Sequence, residues 1–254
     1  MNLNGAVTGS GPDVVLMHGW GVNAGVLHGL ATALAARFRV HALDLPGYGA
    51  SPSCAPYCLQ TLVEMIARDA PRSCHVVGWS LGALVAMAWA RAAPRQIVRM
   101  ALLAATPCFA RRDDWAHGVE AHVLEAFARD LPADYEGTIG RFIALQVLGD
   151  ADARRVASEL RRHVPRSERP GIEALSSGLR ILRDTDLRNA LAQIPQQTLV
   201  VHGDRDRLIP PAAGRYVGRG IPGASFELVQ GAAHAPFLSD LPRVSELVTD
   251  FLHG

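Results

Sequence analysis

Lysine is absent from this chain: all 25 of its basic residues are arginine. The absence excludes chemistry that needs a lysine amine, such as a Schiff base, a pyridoxal phosphate site or the phosphate-binding lysine of a P-loop. A GC-rich genome accounts for it better than function does. Cysteine is scarce, and Cys54, Cys58, Cys74 and Cys108 show neither zinc spacing nor a C-x-x-C pair, so free thiols and no metal site are expected. No H-E-x-x-H or comparable histidine pair is present either. Charge of one sign is not in excess: the formal net charge is +1, which predicts no general attraction to nucleic acid or to an acidic membrane. Long apolar runs are missing too. Nothing approaches the roughly 18 residues of a membrane span, and the opening MNLNGAVTGSGPDVVL lacks the basic start and sustained apolar region of a leader. A soluble, cytoplasmic protein without repeats or low-complexity segments is expected.

What the chain does have is apolar content. Of 254 residues 49% are hydrophobic and 19% charged, enough for one large core rather than a disordered chain. Short apolar runs alternate with helical patterns: DVVLMHG at 13–19, RVHALDLPG at 39–47, CHVVGWS at 74–80 and RMALLAATP at 99–107. This βαβ rhythm predicts a mostly parallel sheet with helices on both faces. From about Phe109 to Arg188 the rhythm stops and the text turns charged and helical. Strands resume at TLVVHGD, 198–204, and SFELVQG, 225–231, and VSELVTDFLHG closes as a helix. The expected organisation is therefore an α/β core, residues 1–108 and 189–254, with a helical lid, 109–188, inserted over the carboxyl ends of the strands, where binding crevices of such sheets open.

One stretch carries chemistry. In HVVGWSLGALVAM, 75–87, a β-branched run meets an Ala- and Leu-rich helical run at Gly-x-Ser-x-Gly, a pattern expected by chance roughly 0.1 times in a chain of this composition. At a sharp strand-to-helix turn the Ser80 side chain is pushed outward, while Gly78 and Gly82 let the two backbones pass closely. A serine hydroxyl is a poor nucleophile unless a base takes its proton and an acid orients that base. Two late loops offer these in the order Ser, Asp, His: HGDRDRLIP supplies Asp204 and Asp206, and GAAHAPF supplies His234. Asp204 and Asp206 would face opposite ways in an extended chain, so one at most holds the imidazole. Asp206 is favoured, with Asp204 read as turn chemistry beside Gly203. His18, His41, His75 and His202 fall in or beside predicted strands and are read as packing or backbone partners. An oxyanion hole needs two N–H donors. Leu81, at the start of the helix after the serine, supplies one, and Trp20, in the glycine-flanked HGWG turn, is the candidate for the other. Trp20, Trp79 and Phe142 are candidates for walling an apolar acyl slot, with core filling an equal account of Phe142.

HGWG, DLPGYGAS, GWSLG, HGDRDRLIP and GAAHAPF, in this order over most of the chain, resemble the α/β-hydrolase superfamily. Within it, LMHGWGVNAGV, VGWSLGALVA, the lid segments TPCFARRDDW and RFIALQVLG and the ending AAHAPFLSD are similar to the pimeloyl-acyl-carrier-protein methyl ester esterases of biotin biosynthesis. The resemblance implies a Ser80, Asp206 and His234 triad, N–H donors from Trp20 and Leu81, no cofactor, and cleavage of a methyl ester from a pimeloyl chain on acyl-carrier protein. GWSLGA stands where GWSLGG is commoner, and the lid arginines follow the family only in part.

The lid bears on the partner. Between residues 141 and 169 stand seven arginines (141, 154, 155, 161, 162, 166 and 169) against four acids, Asp150, Asp152, Glu159 and Glu168. On a helix Arg154 and Arg161 share one face, while Arg155, Glu159 and Arg162 share the next. Arg141, Arg154, Arg155, Arg161 and Arg162 are candidates for a patch that steers an acidic carrier protein, weighed against a solvated helix face. The partner expected is a transient acyl-carrier protein, the chain itself a monomer. Two readings compete: a general short-chain carboxylesterase or carbon–carbon bond hydrolase on the same triad, and a weakly catalytic receptor that binds a small ligand.

Overall fold

The computed structural model describes residues 3–164 and 171–254. Seven strands form one sheet: β1 (Gly5–Thr8), β2 (Asp13–Met17), β3 (Arg39–Leu43), β4 (Cys74–Trp79), β5 (Ile97–Leu103), β6 (Gln197–Gly203) and β7 (Ser225–Val229). Their order is β1-β3-β2-β4-β5-β6-β7, parallel except where β1 pairs antiparallel with β3 in the register Gly5↔Leu43. The six strands read as apolar runs make up the parallel part, buried nearly throughout in β2, β4 and β6 and only partly in β3 and β7. β4 is buried at all six positions, which is why it reads as a continuous run rather than an alternation. β1 has no such signature: GAVT is exposed throughout, so its sequence carries no hydrophobic signal and its pairing is decided by β3.

Right-handed crossovers place the helices. The chain runs leftward from β2 to β3 through α1 (His28–Leu34), then turns back to β4 through α2 (Leu59–Asp69) and onward through α3 (Leu81–Ala92) and α8 (Pro211–Gly220). Reversing direction puts α1 on the opposite face from α2, α3 and α8. Two further helices, α9 (Pro236–Ser239) and α10 (Leu241–His253), end the chain, and α10 packs against α1. Strand order reverses between β2 and β4, and the carboxyl ends of strands at such a reversal are where sheets of this kind bind ligands.

Between β5 and β6 the chain leaves the sheet and forms α4 (Ala121–Asp130), α5 (Tyr135–Gln146), α6 (Ala153–Arg162) and α7 (Ile172–Asp184). Departure and return meet at one stem, where the Leu187 N–H donates to the Pro107 carbonyl at 2.8 Å and Cys108 bridges Asp186. Asp134 caps α5 by accepting the Gly137 N–H. Among the described residues no helix is long and apolar enough to cross a membrane.

Candidate active site

Ser80 occupies the link between β4 and α3 with φ 55° and ψ −112°, a left-handed conformation that an L-residue adopts only under constraint. The constraint is visible. The Ser80 N–H donates to the Leu103 carbonyl at 3.0 Å, and the Ser80 carbonyl accepts from Ala83 and Leu84 as α3 begins. A Cβ on Gly78 would run into the Gly82 carbonyl, and one on Gly82 into the carbonyls of Met17 and His18. The ends of β2 and β4 and the first turn of α3 are thus packed backbone to backbone, which only glycine permits at those two positions.

Three loops converge on this elbow. His234, between β7 and α9, has its Nε2 2.9 Å from Ser80 Oγ, and its Nδ1 2.7 Å from Asp206 Oδ2 on the loop after β6. Ser80 is 8% exposed, Asp206 4% and His234 0%. Asp206 Oδ1 accepts the N–H groups of Leu208 and Ile209 at 3.0 and 2.9 Å, and His202 Nε2 lies 3.2 Å from Oδ2 while donating to the Ile209 carbonyl at 2.8 Å. Burial, the largest influence on the Asp206 carboxyl, pushes its pKa up. The charge of His234 and the hydrogen bonds from His202 and His234 outweigh it and hold the group well below the usual carboxylate range. An ionised Asp206 takes the Nδ1–H of His234, leaving Nε2 as acceptor for the Ser80 hydroxyl proton.

Asp204, by contrast, reaches across to the neighbouring loop, where its Oδ1 accepts the Gly231 N–H at 2.6 Å. Its bond is to another loop and not the local turn expected of it. His202, read as packing or a backbone partner, does bond the backbone at the Ile209 carbonyl, and its Nε2 also stands against the Asp206 carboxylate, which that reading did not include. The missed signal was its place four residues before Asp206 at the end of an apolar strand.

The HGWG turn passes directly over the elbow: a Cβ on Gly19 would stand 3.3 Å from Ser80 Cβ. Among the described residues the N–H groups of Trp20 and Leu81 have no protein acceptor. His18 holds this turn, its Nδ1 donating to the Gly19 carbonyl at 2.7 Å and its Nε2 accepting the Leu45 N–H at 3.0 Å. Burial pushes the His18 ring below its ordinary pKa, so the neutral tautomer this pattern requires is the stable one. The Trp20 indole donates to the Leu175 carbonyl of α7 at 2.9 Å and meets Phe142 of α5 edge to face at 4.7 Å. Trp79 is buried against Phe237 at 5.1 Å and donates its indole N–H to the His234 carbonyl at 2.7 Å, which fixes the loop carrying the imidazole. Tyr48 Oη, which faces Gly178 of α7 beside Trp20, and Gln146 Nε2 are buried without a hydrogen-bond partner among the described residues; no sequence pattern singled them out.

The lid arginines divide. Arg141 pairs with Asp130 and Asp134, Arg162 with Glu159, and Arg155 with Asp152 while also donating to the carbonyls of Leu238 and Ser239. Arg154 and Arg161 are exposed and have no ion pair among the described residues. Arg166 and Arg169 lie outside the described residues.

The model of the alpha/beta hydrolase family matches residues 14–247. The chain belongs to the alpha/beta hydrolase family. This hydrolase is 43% identical to a pimeloyl-[acyl-carrier protein] methyl ester esterase of Nitrosomonas europaea, over 91% of its own length and 92% of the relative's. It is 39% identical to the Methylococcus capsulatus protein of the same name, over 99% of both. Among solved structures, an esterase from Exiguobacterium antarcticum superposes on the hydrolase with a TM-score of 0.86 at 22% identity, covering 99% of this chain and 96% of the other. That likeness speaks to the fold alone.

Proposed function

We propose that this hydrolase is a serine carboxylesterase that removes the methyl ester from a pimeloyl chain carried on acyl-carrier protein, a step of biotin synthesis, and that Ser80, His234 and Asp206 are its triad. The observation that carries the chemistry is the unbroken chain from Ser80 Oγ through the imidazole to the Asp206 carboxylate, at 2.9 and 2.7 Å. The relatives' shared name supports the substrate. In this reading Ser80 Oγ attacks the ester carbonyl as His234 Nε2 takes its proton, and the N–H groups of Trp20 and Leu81 receive the oxyanion. His234 then hands the proton to the departing methanol, and a water it activates releases the acid, still joined to its carrier. Asp206 stays ionised throughout, holding the tautomer and stabilising the imidazolium.

Residues 109–188 act as a lid over the slot, held to the oxyanion turn through Trp20. Phe142 and Trp20 form the apolar wall, and Trp79 acts on the His234 loop behind it. A wall of this kind discriminates chain length coarsely, at about 0.8 kcal/mol per buried CH2. Arg154 and Arg161, exposed and with no ion pair among the described residues, are the members of the patch best placed to meet an acidic carrier. Two arms test the proposal. Ser80→Ala abolishes hydrolysis and fluorophosphonate labelling while the protein stays folded; retained labelling would place the nucleophile elsewhere. The wild-type gene restores growth without biotin to a strain lacking its own esterase; failure, with ester hydrolysis intact, would leave a general carboxylesterase.

A further inference from the structure

The sequence places Asp150 among the lid's acids as a counter-charge to its arginines, but the fold turns it toward the catalytic loop. The turn between α5 and α6 lies along the loop that carries His234 and is bonded to it repeatedly. The Gln146 carbonyl accepts the His234 N–H at 3.1 Å, and the Ala151 N–H donates to the Gly231 carbonyl at 2.8 Å. Asp150 Oδ2 accepts the Ala233 N–H at 2.8 Å and the Ser239 hydroxyl at 2.6 Å, while Oδ1 accepts the N–H of Asp152 at 2.9 Å. From the core side the same loop is held by Asp204 on the Gly231 N–H, by the Arg205 N–H on the Ala232 carbonyl and by Trp79 on the His234 carbonyl. The loop is gripped from both sides, and Asp150 is the only side chain of the lid, among the described residues, that bonds to it.

We infer that Asp150 is a positioning residue for the base: its carboxylate fixes the backbone immediately before His234 and braces it to α9 through Ser239, so that the imidazole meets Ser80 at hydrogen-bond distance. The inference rests on the proposed triad and goes beyond it, because it makes part of the lid a support of the catalytic machinery. Without the carboxylate the Ala233 N–H loses its partner, and the loop can relax away from the elbow. A displacement of the base of about 1 Å is enough to cost on the order of 100-fold in turnover. Substrate contacts are left in place, so the loss falls on kcat and not on KM.

The test compares Asp150→Ala with Asp150→Asn in steady-state hydrolysis of a small methyl ester and in the rate of fluorophosphonate labelling, each per folded molecule. Asp150→Ala is expected to lower kcat and the labelling rate by about 10-fold to 100-fold with KM within about 2-fold. Asp150→Asn, whose amide oxygen still accepts from Ala233, recovers most of the rate. Should Asp150→Ala not fold, Ser239→Ala removes the brace, with the weaker bond of the same hydroxyl to the Ala235 carbonyl, while leaving Asp150 on the Ala233 N–H, and lowers kcat by about 3-fold. Unchanged kcat in the variant that folds, or an alanine loss that asparagine does not relieve, would overturn the inference. A wild type that neither hydrolyses esters nor takes the label would instead overturn the triad on which it rests.

Discussion

Replacing Asp206 by asparagine changes one atom, and the surroundings dictate what that atom does. Oδ1 is called upon by two backbone donors, Leu208 and Ile209, so the amide oxygen must take that place. The NH2 is then turned toward His234 Nδ1 and His202 Nε2. His202 already donates from that nitrogen to Ile209, so the amide meets a donor there, and its remaining productive bond is to an unprotonated His234 Nδ1. The proton of the imidazole is forced onto Nε2, the nitrogen that must accept from Ser80. Wrong tautomer and lost imidazolium stabilisation together are worth about 10⁴-fold in kcat, or roughly 5.5 kcal/mol of barrier. Asp204→Asn keeps an acceptor for Gly231 and is expected to stay within about 3-fold. The assay is hydrolysis of a small methyl ester at neutral pH, with thermal melting to verify folding. A loss for Asp206→Asn under 10-fold, or one no larger than that of Asp204→Asn, would refute the reasoning.

Charge reversal of Arg154 and Arg161 to glutamate is expected to lower kcat/KM for the carrier-linked methyl ester several-fold more than for the methyl ester of a free short acid, with added salt reducing the difference in the wild type; equal losses on both substrates would remove the patch from the argument. His18 gives a pH dependence. Burial depresses its folded pKa below the ordinary 6.5, so between those two values the unfolded chain binds a proton that the folded chain does not. The contribution to stability is complete above about pH 6.5 and falls as the pH drops below it. His75, depressed by burial and by Arg99, adds in the same direction. Melting temperature measured from pH 8 down to 5 should therefore decline from about pH 6.5, and a flat profile would contradict the neutral, buried state of both rings.

The elements that mattered most for the site were legible because their signals are local. A β-branched run, two glycines about a serine and an Ala- and Leu-rich helix are set by backbone sterics within a few residues, and they placed the elbow at Ser80 without reference to the rest of the chain. The central parallel strands were legible for a related reason, since burial on both faces of β2, β4 and β6 leaves a continuous apolar run. β1 escaped notice because an exposed edge strand needs no apolar face, and its pairing depends on β3, 35 or so residues away along the chain.

By itself, the sequence determined the fold class, the elbow and the order in which Ser80, Asp206 and His234 appear. What only the tertiary structure decided was partnership between distant groups. The sequence favours Asp206 over Asp204 but shows no contact for either; Asp206 lies against His234 because the loop after β6 folds its carboxylate back onto the N–H groups of Leu208 and Ile209. Asp150 and Arg155 read as surface charges, yet one bonds to the loop of His234 and the other to the end of α9. The bonds of Asp150 to Ala233 and of Arg155 to Leu238 each join residues 83 positions apart, and that of Asp206 to His234 residues 28 apart; a charge pattern along one helix cannot report them. They exist only where the parallel sheet brings the carboxyl ends of β2, β4, β6 and β7 to one edge and lays the inserted helices across it.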